Sequence, residues 1–195
     1  MSKGIDNLIE FIKFTHAIRN IERAIILEKG SHENDAEHGY QLAMTAWYII
    51  DKDKLKLDKF KAACIAMAHD IVEVYAGDTL AFASSSKLAK AKQKEAQAVQ
   101  KLKKEWPAFT SLHELIDEYE NLSSEEAKFV YALDKLVPII NNYLYEGGAW
   151  HNHGITFEQM KSIKIGKIDQ DARINEYYEQ LLRILEKHPE LFGKK

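Results

Sequence analysis

A single cysteine, Cys64, and only three prolines occur in 195 residues, so the chain has little with which to staple or stiffen itself covalently. A lone thiol cannot close an internal disulfide, and its place in an apolar helical pattern predicts a small core residue rather than a nucleophile. No uncharged run of membrane-spanning length occurs, and Asp6 and Glu10 interrupt the first apolar stretch. These features argue against a membrane span and a signal peptide, so a cytoplasmic setting is the expectation. An excess of positive charge is also missing: 27 Lys and Arg stand against 30 Asp and Glu, for a formal net charge of -3. Without a broad cationic surface to neutralise a phosphate backbone, polymeric DNA or RNA is not an expected substrate.

What is present is helical pattern. Hydrophobic residues make up 46% of the chain, enough for one compact domain spanning residues 1 to 195. Apolar residues recur every three to four positions and alternating runs are scarce, which predicts an all-α, multi-helix bundle. Ile5, Leu8, Ile9 and Ile12 mark a first helix, with a weaker continuation past His16 that ends before Gly30; the stretch from Arg19 to Leu27 fits no clear pattern. Asn34 followed by Glu37 is a capping box opening a helix that carries His38, Leu42 and Trp47 toward Ile50. A strongly apolar helix is expected from about Asp58 to Val74, through Phe60, Cys64, Met67 and Ile71. The Lys-, Ala- and Gln-rich segment from Ser84 to Glu105 confines Leu88, Ala91, Ala98 and Leu102 to a narrow stripe, as a solvated surface helix does. Ser123 with Glu126 and Thr156 with Gln159 predict two further helix starts, the first leading into Phe129, Val130, Leu133, Leu136, Val137 and Ile140. A last helix should run from about Asp169 to His188 and stop at Pro189.

The chemistry concentrates in AMAHDIVEVYAGD. His69 and Asp70 stand together in apolar surroundings, with Glu73 one turn on and close to both. Burying ionisable groups without partners costs several kcal/mol or more, and a bound dication would compensate that cost. Asp134 shares a helical face with Val130 and Val137, where a surface acid does not belong. Lys135, its neighbour in sequence, should point elsewhere and leave that carboxylate unneutralised. His38 offers a fourth donor from a separate helix. An imidazole and carboxylate set suits one divalent transition metal, Mn, Co, Fe, Ni or Zn, better than Ca, with positions left for water.

The spacing of His38, His69-Asp70 and Asp134 resembles the signature of the HD-domain phosphohydrolases over roughly residues 5 to 165. Within that superfamily the form HDxxExxxxD, here His69, Asp70, Glu73 and Asp78, is similar to the branch of 5'-deoxynucleotidases acting on nucleoside monophosphates. The resemblance implies an HD-domain bundle, metal-assisted phosphomonoester hydrolysis, Glu73 and Asp78 in catalysis, and an arginine near the substrate phosphate. Arg23 lies at the matching distance before His38, with Arg19 the less favoured substitute; relatives of this kind also suggest a homodimer. On this reading Glu73 orients or deprotonates the attacking water, Asp78 positions the sugar or protonates the leaving 5'-oxygen, and Arg23 holds phosphate oxygens in a bidentate fork. The competing readings are a phosphatase of another small phosphate ester and a non-catalytic helical protein stabilised by metal or by a buried polar network. His16, His32, His113 and His188 lack ligand-type spacing. His151 and His153 flank Asn152 in a Gly-bordered loop that either lines a pocket mouth or, the favoured reading, only connects helices, and Trp47 and Trp150 read as packing residues.

Overall fold

The computed structural model describes residues 3–193 and is helical apart from one small hairpin. Helix α1 covers Lys3–Ala17, the strands β1 and β2 cover Glu22–Ile26 and His32–Asn34, and α2 covers Asp35–Lys52. Next come α3 (Lys59–Ala68), the single turn α4 (Glu73–Ala76), α5 (Ser85–Glu105) and α6 (Thr110–Asn121). The chain closes with α7 (Glu125–Leu144), α8 (Gly148–Asn152), α9 (Phe157–Lys164) and α10 (Ala172–Leu185).

After α1 a single 3-10 turn over Ile18–Asn20 ends the helical path. The chain then forms β1, antiparallel to β2, with Glu22 opposite Asn34 and Ile26 opposite His32. Arg23 thereby sits on a strand whose partner leads directly into α2. The capping box at the start of α2 is present: Asn34 accepts from the amides of Ala36 and Glu37 while the Glu37 carboxylate accepts from the Asn34 amide. Three backbone donors around the helix start are satisfied in this way, which sets the direction in which His38 leaves the first turn.

Helix α3 ends at Ala68, earlier than the apolar run predicts, because the Ala66 carbonyl, which an Asp70 amide would take in a continuing helix, faces the His69 ring nitrogen Nδ1 at 2.9 Å. Tight turns follow, with Ile71 bonded to Ala68 and Glu73 to Asp70. The buried face of α3 is Ala62, Ile65, Ala66 and Ala68, whereas Phe60, Cys64 and Met67 are exposed. Both faces are apolar, so periodicity could not choose between them; the small residues turn inward because they let helices approach closely. Gly39 of α2 makes the same close approach, since a Cβ there would lie 3.5 Å from the Ala66 carbonyl oxygen. Trp47 is exposed as well, against the packing role expected of it, while Trp150 is buried against Phe192.

Helix α7 runs through the centre, burying Phe129, Val130, Leu133, Leu136 and Val137 together with residues of α2, α3 and α10. Its cap is Ser124, which accepts from the Ala127 amide, one residue later than the expected Ser123. A second cluster joins Phe14 of α1 to Val72, Ala98, Leu102, Leu112 and Ile116, so α1 packs through its aromatics and leaves Ile5, Leu8, Ile9 and Ile12 exposed. The capping box at Thr156 and Gln159 opens α9, and α10 starts from Asp171 rather than Asp169. No helix among the described residues is long and apolar enough to cross a membrane.

Candidate metal centre

The site is assembled where α2, the end of α3 and the middle of α7 meet. His38 from α2 is fully buried, His69 caps α3 and is 4% exposed, and Asp134 from α7 is 3% exposed. One donor atom from each of these three lies within 4.8 Å of the others. His38 Nε2 is 3.0 Å from Asp134 Oδ1, and His69 Nε2 is 3.6 Å from the same oxygen and 3.0 Å from Asp70 Oδ2. Asp70 is differently placed from the trio, because that Oδ2 also accepts from Arg23 Nη1 at 2.8 Å.

The tautomer of His69 decides whether a cation fits between these groups. The Ala66 carbonyl can only accept, so His69 Nδ1 carries a proton and donates to it at 2.9 Å. In the neutral ring Nε2 is then a bare lone pair, buried without a hydrogen-bond partner and facing two carboxylates. That arrangement is repulsive unless a cation lies between them, and either a proton or a metal ion can serve. Without metal the proton does: burial alone would lower the His69 pKa, but Asp70 and Asp134 outweigh it and push it up to about 10. His38 is displaced the other way, downward, mainly by burial, and so stays a neutral donor. Asp70 and Asp134 remain ionised despite burial, the first through His69 and Arg23, the second through Lys135, His38 and His69. Buried Glu73 Oε2 and Asp35 Oδ2 likewise lack hydrogen-bond partners, so the centre as a whole is short of positive charge.

Of the trio, Asp134 opens onto a pocket of about 240 Å³ whose lining also includes Arg23, Asp70, Glu73, Asp78 and Lys135. Every candidate site residue except His38 and His69 therefore faces this space. Gly77, with a φ of 75°, adopts the left-handed turn that swings Asp78 back from α4 toward Arg23, two residues past the helix end. Glu73 is pushed up to about 10 by burial and by the charges of Asp70, Asp35 and Asp78; Asp78 is raised by burial and by Asp70. Arg23 gives Nη1 to Asp35 at 3.0 Å and to Asp70, and its Nε faces Glu33 at 3.4 Å, so Nη2 is left without a protein partner among the described residues. Arg19 is exposed and takes no part.

Lys135 overturns one expectation. Its ammonium curls back to Asp134 Oδ2 at 2.5 Å, and Tyr119 donates to the same oxygen at 2.8 Å. Asp134 thus has one oxygen turned to the histidines and one held from behind. Tyr119, Glu33 and Asp35 carry no local signal: Asp35 reads as an ordinary first-turn acid and Tyr119 as one aromatic among charged neighbours, yet all are buried around the centre. The connecting loop expected around His151 and His153 is instead the short helix α8: His151 lies within it and His153 caps its end, and of the two only His153 lines the pocket.

Comparison with known proteins places this geometry. The sequence pattern of the HD domain matches residues 15–175. The chain is similar to the 5'-deoxynucleotidase HDDC2 of Bos taurus, 30% identical over 148 residues that cover 74% of this chain and 70% of that one. The HDDC2 protein of Homo sapiens is 29% identical over 147 residues, covering 73% and 70%. Among solved structures, a predicted metal-dependent phosphohydrolase from Magnetospirillum magnetotacticum superposes with a TM-score of 0.81 at 25% identity, covering 97% of this chain and 96% of that one.

Proposed function

Because the chain belongs to the HD domain family, a family of metal-dependent phosphohydrolases, we propose that it hydrolyses deoxynucleoside 5'-monophosphates to nucleoside and phosphate. The observation that carries this reading is the unpartnered His69 Nε2 facing Asp70 and Asp134, two residues that line a pocket with Arg23, Glu73 and Asp78. The names of the relatives in Bos taurus and Homo sapiens support the choice of substrate.

In this proposal His38, His69, Asp70 and Asp134 hold one divalent ion, drawn from Mn, Co, Fe, Ni or Zn by the mixed imidazole and carboxylate donors. When bound, such an ion would acidify a water and would offer positive charge to the phosphoryl oxygens. With the positive charge of the ion in place of its own proton, Glu73 would accept the proton of the attacking water; the phosphorus–O5' bond breaks as the new phosphorus–oxygen bond forms. Asp78, raised by burial and by Asp70, faces the same pocket and would pass a proton to the departing 5'-oxygen, or hold the sugar. Arg23, fixed by Asp35 and Asp70, turns Nη2 to a phosphate oxygen. Lys135 and Tyr119 hold Asp134 from behind.

We place the enzyme in the cytoplasm, where its proposed substrates are made, and infer a homodimer. Exposed apolar side chains at Met44, Trp47, Phe60 and Met67 support the dimer, the commonest closed assembly. The test of the activity is metal analysis of the purified protein together with phosphate release from a panel of deoxyribo- and ribonucleoside 5'-monophosphates, with 3'-monophosphates as controls. Metal-dependent release from the 5'-deoxynucleotides is expected. Release only from unrelated phosphate esters, or from none with Mn, Co, Zn and Mg each supplied, overturns the assignment.

A further inference from the structure

Glu33, in the middle of β2, is 2% exposed and belongs to none of the roles above. Its carboxylate is held from one side: Oε1 accepts from Asn141 Nδ2 at 2.9 Å. Asn141 is itself fixed by Gln41, which donates to its carbonyl at 3.1 Å and accepts from its amide at 2.8 Å. The second oxygen, Oε2, has no hydrogen bond, and it lies 3.4 Å from Arg23 Nε and 3.9 Å from His38 Nδ1. His38 Nδ1 is equally buried and equally without a partner. One orphaned acceptor and one orphaned ring nitrogen therefore face each other behind the candidate ligand, while His38 Nε2 points forward to Asp134.

For Nε2 to offer its lone pair to a metal, the ring proton must sit on Nδ1, where it needs an acceptor. His69 meets this need with the Ala66 carbonyl. His38 has no such backbone group, and the oxygen that faces its Nδ1 belongs to Glu33. We propose that Glu33 is a positioning residue that accepts the Nδ1 proton of His38, setting its tautomer for metal binding, and at the same time orients Arg23 through Nε. The present separation is longer than a hydrogen bond, as suits a ring whose Nε2 still hydrogen-bonds Asp134. A carboxylate in this place also makes the imidazole a better donor. The proposal rests on the metal-site reading above.

The test uses the full chain loaded with zinc, which is diamagnetic, in wild type, Glu33→Gln and Glu33→Ala. Zinc affinity is measured by competition with a chromophoric chelator, and the His38 tautomer by long-range 15N–1H correlation of histidine-labelled protein. Wild type should show His38 protonated at Nδ1 and zinc-bound at Nε2. Glu33→Ala should weaken zinc binding by about 10- to 100-fold, the usual cost of losing a partner behind a ligand. Glu33→Gln preserves shape and an acceptor, so it should keep the tautomer, lose less affinity than the alanine variant, and shift the Nδ1 proton resonance upfield as the charged acceptor disappears. If Glu33→Ala does not fold, the glutamine variant alone decides. Unchanged affinity and an unmoved Nδ1 resonance in Glu33→Gln, or a wild-type His38 bound through Nδ1, overturns the role of Glu33 while leaving the metal site standing. A wild-type protein that takes up no zinc overturns both.

Discussion

Replacing Glu73 with glutamine should make the metal-free protein more stable and the enzyme nearly inert. Glu73 is crowded by Asp70, Asp35 and Asp78 in a largely buried position, and these together with burial push it from 4.5 up to about 10. The native metal-free state therefore holds a proton on Glu73 at neutral pH, and the unfolded chain releases it. A group raised in this sense penalises folding above its unfolded value, and the penalty grows until the pH reaches the folded one. Across the interval from 4.5 to 7 it is on the order of 3 kcal/mol, at about 1.4 kcal/mol per unit. Glutamine resembles the protonated acid in shape and removes the penalty, so Glu73→Gln should gain stability, and the gain should be larger at pH 8 than at pH 6 by roughly 2–3 kcal/mol. Denaturant unfolding of chelator-treated protein at the two pH values measures this directly. Turnover of the metal-loaded variant should fall by about two to four orders of magnitude, the usual share of a positioned acid or base. A stability gain equal at pH 6 and pH 8 would refute the protonated state, and wild-type turnover in the variant would refute the catalytic role.

Asp70→Ala should lose metal, activity and stability together, because it removes a partner of both His69 and Arg23 and leaves those cations buried; metal content and a thermal melt read the three effects, and retained metal would count against Asp70 as a ligand. Arg23→Lys should raise KM for nucleotide at least about tenfold, since a lysine ammonium cannot serve Asp35 and Asp70 and still present a second nitrogen in a fixed fork; steady-state kinetics would show an unchanged KM if the arginine does not meet the phosphate. His69, raised to about 10, carries a proton that metal must displace, so its stabilising contribution to the metal-free protein is complete below pH 6.5 and lost as pH rises through 10. Metal affinity should correspondingly rise about tenfold per pH unit between roughly pH 7 and 9, and a flat profile by chelator competition would contradict the displaced proton.

The parts of this architecture that were legible in the sequence are those written in local spacing. The capping boxes at Asn34 and Thr156 are visible as residue pairs three apart, and both form. Asp134 stands out because its face is otherwise valine, and it is buried in a helix that supplies much of the core. Arg23 could be placed near the site only through the family resemblance, and not on a strand, because the hairpin of β1 and β2 is short and irregular in register. Periodicity failed where both helix faces are apolar, as in α3, which left Phe60, Cys64 and Met67 on the wrong side. It failed for Lys135 for a different reason: helical spacing gives the direction of a Cα–Cβ bond, and a four-carbon stem is long enough to return its ammonium to the neighbouring carboxylate. Glu33, Asp35 and Tyr119 acquire their roles from segments distant in the chain, and no spacing within any one segment marks them.

The most direct test of the account is a crystal structure of the protein soaked in manganese, with the ion located by anomalous scattering. One strong peak is expected between His38, His69 and Asp134, within about 2.0–2.3 Å of nitrogen and oxygen donors from these three and Asp70. No peak there at saturating manganese, or a peak coordinated by other residues while His38, His69 and Asp134 keep only one another as partners, would contradict it.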